Sequence, residues 1–266
     1  MTRFHLSKWY LDYVTDRGDV EIAYTGNVRW GPVRLQYSSV LQTAESRVRE
    51  RRSLRPQPLP QAKGSTISWR SNALKIETVW EGVAPAVRET IYRSGGGSVE
   101  WNCLMPLARA QRRERELEVA KCDLKFGFGY VEHLEMTIAP WKLPIRTLRW
   151  GRFTSASDWV TWIDWQGDFP LRLVYVNGET ISCSRVEDDR LEAEDGTRLF
   201  MDRSLVLRDG PLGTTALAAV PGISKMFPAR LLEMNECKWR SRSRLERRDK
   251  PPVEGWAIHE KVSWAS

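Results

Sequence analysis

Residues 5–37 read HLSKWYLDYVTDRGDVEIAYTGNVRWGPVRLQY and alternate with a period of two, broken twice by turn residues. His5, Ser7, Trp9, Leu11 and Tyr13 share one face of a first strand. Val20, Ile22, Tyr24 and Val28 share a face of a second, and Val33, Leu35 and Tyr37 carry the pattern into a third. Asp16-Arg17-Gly18-Asp19 and Trp30-Gly31-Pro32 lie between them and supply turn chemistry. Successive side chains of a strand point to opposite faces, so a period of two is strand geometry. The stretch predicts an antiparallel meander.

The same pattern extends along the chain. Ile67 and Trp69, then Leu74, Ile76, Thr78 and Trp80, then Val87 to Tyr92 and Val99 to Leu107 read as strands, with Ser94-Gly95-Gly96-Gly97 as a hairpin. Further strands are expected near 122–138, 145–155, 158–166, 171–176, 180–187, 190–194, 197–207, 230–245 and 255–264. Asn177-Gly178 and Asp195-Gly196 are hairpin turns. Glu45 to Lys63 is charged and proline-rich and reads as an exposed loop; Gly210 to Pro228 breaks the β pattern and reads as a short helix or crossover. Ala108 to Glu118 is dense in charge with helical propensity, the expected connector between a domain at 1–115 and a second at 116–266. So many antiparallel strands must hide their edges, and closure into barrels does so. The expectation is all-β, two antiparallel barrels, with a single large sandwich as the alternative.

Composition narrows the functional classes. The 266 residues carry a net charge of +7, and 13 are Trp. Trp buries a large area and wants one hydrogen-bond partner, so aromatic-rich interiors are expected. Arginines cluster at Arg47, Arg49, Arg51, Arg52 and Arg55, at Arg109, Arg112, Arg113 and Arg115, and at Arg240, Arg242, Arg244, Arg247 and Arg248. No nucleic-acid-binding motif organises them, so nucleic acid is not expected as a partner. They read as solvated loops, with peripheral contact to an anionic membrane as the second reading. Cys103, Cys122, Cys183 and Cys237 form no CxxC pair, and no metal or cofactor is expected. MTRFHLSKWY has no apolar signal core, and free thiols fit a cytoplasmic setting.

The segment most suggestive of chemistry is Phe126 to Ile138, FGFGYVEHLEMTI. Phe126, Phe128, Tyr130, Leu134, Met136 and Ile138 share a face, and Glu132 stands in the middle of it. A carboxyl flanked by apolar groups is poorly solvated, which disfavours its charged form and lets it donate a proton. The opposing reading is a structural ion pair with Arg152, which shares a face of the following strand with Leu148 and Trp150. Glu260 repeats the anomaly on the last strand, among Trp256, Ile258, Val262 and Trp264, and the two carboxyls either converge or serve separate regions. His133 and His259 alternate to the polar faces and read as surface histidines. Asp12 and Asp164 read as strand-end hydrogen bonders, and the glycines of GFGYVE as a bend or bulge. No nucleophile elbow, P-loop or dinucleotide fingerprint is present.

Several of these residues resemble a known family. Trp9-Tyr10-Leu11-Asp12 followed by a turn and Val20 to Val28 is similar to the start of carotenoid 1,2-hydratase (hydroxyneurosporene synthase)-like and AttH-like proteins. Gly129-Tyr130-Val131-Glu132-His133 resembles that family's GY-x-D stretch, and Trp150-Gly151-Arg152 its following Trp-x-Arg strand. The resemblance implies two lipocalin-like barrels and a hydrophobic ligand. Related two-barrel proteins include terpenoid or polyketide cyclases and Diels–Alder-type catalysts. In the hydratases the acid of GY-x-D protonates an isolated alkene and water captures the cation; Glu132 would take that role. Arg152 would orient it and Glu260 would be a second carboxyl. Phe128, Tyr130, Trp150 and Trp162 would line the ligand, their π faces steadying a cation. Glu stands where the family has Asp, and His133-Leu134-Glu135 replaces its Asn-rich continuation.

The leading functional expectation is therefore an enzyme acting on an apolar, polyene- or terpenoid-like molecule by proton-initiated hydration, isomerisation or cyclisation. A non-catalytic lipocalin-like binding protein is the runner-up.

Overall fold

A computed structural model describes residues 4–44, 47–115, 122–215, 222 and 227–264. The chain divides into two compact units, Met1–Ala139 and Pro140–Ser266. The first holds β1 (Phe4–Val14), β2 (Val20–Trp30), β3 (Val33–Ala44), β4 (Arg47–Ser53), β5 (Gln61–Lys63), β6 (Thr66–Ser71), β7 (Ile76–Gly82), β8 (Val87–Ser94), β9 (Gly97–Arg115) and β10 (Cys122–Met136). The second holds β11 (Ile145–Thr154), β12 (Trp159–Gly167), β13 (Leu171–Val176), β14 (Glu179–Thr180), β15 (Cys183–Val186), β16 (Arg190–Ala193), β17 (Arg198–Met201), β18 (Leu205–Pro211), β19 (Asn235–Arg247) and β20 (Lys250–Ser263). A single-turn helix, Ala229–Leu232, precedes β19.

Each unit is one ten-stranded antiparallel sheet, and the two sheets share a topology. The first runs β4-β3-β2-β1-β10-β9-β7-β6-β5 with β8 on β9; the second runs β14-β13-β12-β11-β20-β19-β17-β16-β15 with β18 on β19. Val40 on β3 and Trp69 on β6 stand far apart in that order, yet both enter one buried cluster with Leu11, Trp80 and Val131. The sheet must curl round this cluster for them to meet. The second sheet curls in the same way, bringing Val176, Leu191 and Leu199 together with Phe153 and Trp162. The all-β, two-barrel expectation is met in this form.

Tryptophans anchor both cores, and the almost fully buried ones of the first unit find hydrogen-bond partners. Trp69, Trp80, Trp101 and Trp162 are almost fully buried. Each such indole removes about 150–250 Å² from water, worth roughly 4–6 kcal/mol before entropic costs. Trp69 donates to the Pro58 carbonyl at 2.6 Å and Trp80 to the Asp12 carbonyl at 2.7 Å. Gly129 makes room for Trp80: a Cβ there would lie 2.5 Å from the Asp12 oxygen and 2.8 Å from Trp80 Cδ1. The glycines of GFGYVE thus serve close approach, with Gly127 equally tight against the Val14 carbonyl.

Three expectations are corrected. The division falls at Ala139/Pro140 and not at 115/116, because β10 pairs with both β1 and β9 and so completes the first sheet. Ala108 to Arg115 is strand, the outer end of β9; the remainder of that predicted connector, to Glu118, lies outside the described residues. The arginine clusters are not loops. Arg47 to Arg52 form β4, Arg109 to Arg113 belong to β9, and Arg240 to Arg247 belong to β19. Alternation puts every second arginine on a solvated face, so charge density alone does not argue against a strand.

Candidate active site

The central pair of the first sheet is β1 against β10, an unbroken ladder from Leu6↔Met136 to Val14↔Phe128. Tyr10 stands opposite Glu132 and Asp12 opposite Tyr130, so two acids and two tyrosines occupy one face. The neighbouring residues Leu11 and Val131 point the other way, into the core cluster. The acids therefore lie on the sheet face turned away from their own unit's core. That face is buried all the same: Glu132 is 8% exposed, and Asp12 and Tyr130 are 0% exposed.

Hydrogen bonds pair these groups by strand. Tyr130 donates its hydroxyl to Glu132 Oε2 at 2.7 Å, and Tyr10 donates to Asp12 Oδ2 at 2.7 Å. Trp101 donates its indole N–H to the same Glu132 oxygen at 2.6 Å. Short bonds to a carboxyl are among the stronger ones in proteins and fix its orientation. Tyr10 packs edge-on against Tyr24 at 5.2 Å and against Tyr130 at 5.9 Å, which locks the rings. Burial pushes the Tyr130 phenol well above its ordinary pKa, reinforced by Cys103 and Glu132. It pushes the Cys103 thiol up likewise. Both remain neutral hydrogen-bonding groups at physiological pH.

Two irregularities of β9 put Trp101 and Cys103 beside the acid. The register slips between Gly129 and Val131 and again between Val131 and Glu132, so β9 spends extra residues around Pro106. Proline lacks an N–H and is tolerated in a strand at a bulge. After the second slip Cys103 stands directly opposite Glu132 and Trp101 opposite Leu134.

The sequence-predicted residues divide between the two units. Phe128, Tyr130 and Glu132 share the site face of β10. Trp150, Arg152 and Glu260 lie in the second unit, on one face of its sheet, where Trp150 is the ladder partner of Glu260 and Arg152 that of Ile258. Arg152 is fully buried and donates to Thr154 Oγ1 at 2.8 Å. Glu260 forms an ion pair with the buried Lys238, which also lies 3.5 Å from Glu236 and over the Trp150 ring. That pairing gives Glu260 a structural partner. Trp162 belongs to the opposite face and to the core, its ring filling the space over Gly151, so it is a packing residue and not part of the Trp150 face.

Five residues were misread or missed. Asp12 is not a strand-end residue: it sits within the ladder, paired on both sides with Tyr130 and Ile22. Asp164 is buried and accepts from Arg172 at 2.8 Å. His259 is not on the surface. It is 3% exposed, bonded to Ser241 at 2.8 Å and stacked on Trp239, and burial lowers its pKa to about 3. Trp101 carried no signal of its own, because only the register of β9 brings it to Glu132. His133 is half-buried between Ser7 and Trp9.

No protein-family model matches the sequence, and no curated protein matches it with significant similarity. Solved structures do match. Kievitone hydratase from Nectria haematococca superimposes with a TM-score of 0.56 at 12% identity, over 98% of this chain and 89% of that one. CghA superimposes with a TM-score of 0.57 at 10% identity, over 97% and 88%. An AttH-type protein of Nitrosomonas europaea gives 0.56 at 8% identity, over 98% and 92%. The chain has their fold. The likeness runs through both units, so the resemblance seen in Trp9 to Asp12 and Gly129 to His133 is upheld at the level of architecture.

Proposed function

We propose that the protein is an enzyme acting on an apolar, polyene- or terpenoid-like small molecule, with Glu132 as the group that delivers a proton to carbon. The observation that carries this reading is the buried face where Glu132 is held by Tyr130 and Trp101 beside the Tyr10–Asp12 pair. A carboxyl whose orientation is fixed by two short bonds is preorganised for one proton transfer. Aromatic rings around it suit a transient carbocation. Two proteins of the same fold support the substrate class: kievitone hydratase by its name, and CghA by its structure with the small molecule Sch210972.

In this reading the proton moves from Glu132 to one carbon of an alkene, and the π electrons form the new C–H bond. The resulting cation then takes water and sheds the extra proton, loses a neighbouring proton, or is attacked by a second alkene to give a ring cation that loses a proton; in each case the proton released restores the acid. These outcomes are hydration, isomerisation and cyclisation. Mass spectrometry of lipophiles that co-purify with the protein, followed by incubation of each with fresh enzyme, tests the reading. A new compound that fails to form with Glu132→Gln supports it. Tight binding with no product from any ligand would replace it with the binding-protein alternative.

A further inference from the structure

Along β10 the residues of the site face change from exposed to buried in chain order. Leu124 is 44% exposed and Phe126 62%; Phe128 is half-buried; Tyr130 is fully buried and Glu132 nearly so. All five share one face, because β10 pairs without a slip with β9 from Cys122 to Gly129 and with β1 from Phe128 inward. The glycines between them face the other way, against Val14 and Asp12. An apolar strip therefore leads from solvent directly to the proposed acid.

The outer end of the strip lies at the margin of the sheet. β1 ends at Val14, opposite Phe128, and the β7–β9 ladder ends at Thr78↔Arg112, while β9 and β10 stay paired to Arg115↔Cys122. Leu124, opposite Arg113, thus lies just past the last β7 rung, while Phe126 lies opposite Gln111, which still pairs with Val79 of β7, itself 41% exposed. On β9, Arg109 is the ladder partner of Phe128 and Arg113 that of Leu124. Arg113 and Arg70 share one counter-charge, Glu77, at 3.2 and 4.0 Å, and both are more than half exposed. Exposed Phe and Leu cost solubility, and monomeric surfaces seldom keep such patches without a use. Aromatic and aliphatic groups flanked by arginines match the interface of an anionic bilayer, where the apolar groups insert and the guanidiniums meet headgroups.

We infer that the exposed face formed by Leu124 and Phe126 at the outer end of β10 docks on an anionic lipid surface, and that the strip from Phe126 to Tyr130 conducts an apolar ligand from the bilayer to Glu132. The second clause rests on the proposed function; the docking does not. A ligand with negligible solubility in water is best collected from lipid, and insertion of Phe126 opens the strip to the acyl region.

Flotation of the full-length protein with vesicles tests the docking. The vesicles are phosphatidylcholine alone, or phosphatidylcholine with phosphatidylglycerol. Wild type should float with the phosphatidylglycerol vesicles and hardly at all with phosphatidylcholine. The Leu124→Ser/Phe126→Ser double variant should lose roughly tenfold in partition. Arg113→Gln should weaken binding and its salt dependence together. Phe169→Ser removes a ring 64% exposed on the second unit and should change nothing. Glu132→Gln should float like wild type, so loss of the acid reading and loss of the docking reading are told apart. Equal flotation with both vesicles, or equal loss from Phe169→Ser, overturns the proposal. So does self-association in sedimentation velocity that Phe126→Ser abolishes without any lipid binding, which would assign the face to a second copy.

Discussion

Glu132 and Glu260 hold matching places in the two sheets: each stands opposite an aromatic residue of the first strand of its sheet, Tyr10 in one and Trp150 in the other. Their partners set them apart. Tyr130 and Trp101, both neutral, donate to Glu132, whereas the buried ammonium of Lys238 pairs with Glu260. Glu132 thus accepts from a phenol and an indole, while Glu260 is paired with a cation. The Lys238 contact makes Glu260 a member of a buried ion pair.

Glu260 is therefore expected to matter to stability. Glu260→Gln removes an ion-pair partner from Lys238, which is 2% exposed and lies at the longer distance of 3.5 Å from Glu236. The expected loss is about 2–4 kcal/mol, since breaking a buried pair leaves a charge poorly compensated. Replacing both partners, Lys238→Met with Glu260→Gln, should cost less than the single change. Urea denaturation of the three variants measures this; a neutral Glu260→Gln would contradict it.

Gly151 and Gly129 are expected to tolerate no side chain. A Cβ at Gly151 would meet the Trp162 ring and His259 Cβ at 2.7 Å or closer, and one at Gly129 the Asp12 carbonyl at 2.5 Å. Each change to Ala should cost about 2–4 kcal/mol through displaced packing. Gly95→Ala, with nothing within 4 Å, should stay within about 0.5 kcal/mol. Thermal melts of the three variants separate close approach from general loss of glycine.

His259 predicts an acid-sensitive second unit. Its pKa falls from 6.5 to about 3, first because burial disfavours the imidazolium. The unfolded chain takes up this proton near pH 6.5 and the folded one only near 3, so the stability contributed is full above pH 6.5. It is lost as pH falls through that window, at about 1.4 kcal/mol per pH unit. His259→Gln should flatten the dependence between pH 6 and pH 4. Denaturation midpoints that fall with the same slope in both proteins would contradict this.

Much of the architecture was readable from alternation alone, since strands β1 to β3 and β10 to β13 lie close to where the period of two places them. Asn177-Gly178 makes its hairpin with φ of 53° and 94°, as that dipeptide requires. Alternation could not say which face would be buried. Tyr10 and Leu11 are neighbours on opposite faces and both are buried, so polarity was a poor guide on the central strands. His259 was misplaced for that reason, being on a face that reads polar and turns to the core. The company of Glu132 was hidden for another reason. Trp101 reaches it only through the slips around Pro106, and register is not a local property of sequence. The helix expected over the charged end of β9 failed because its charges alternate with a buried face: Ala108, Ala110 and Arg112 are buried, and Arg109, Gln111 and Arg113 are exposed.

The two donors to Glu132 should be separable. Trp101→Phe removes one bond from a buried carboxyl and should cost about 1–3 kcal/mol. Tyr130→Phe removes the other and should cost a similar amount while leaving the ring stack with Tyr10 in place. Under the proposed role, both variants bind ligand as wild type does and lose turnover. Loss of binding with unchanged turnover per bound ligand would assign them to packing alone.

The central claim is that Glu132 passes a proton to carbon. The most direct measurement is incubation of the identified lipophile with enzyme in deuterium oxide, followed by mass spectrometry of the product. Wild type should place one deuterium on carbon, and folded Glu132→Gln should give neither product nor exchange. Deuterated product formed at an undiminished rate by Glu132→Gln would contradict the account.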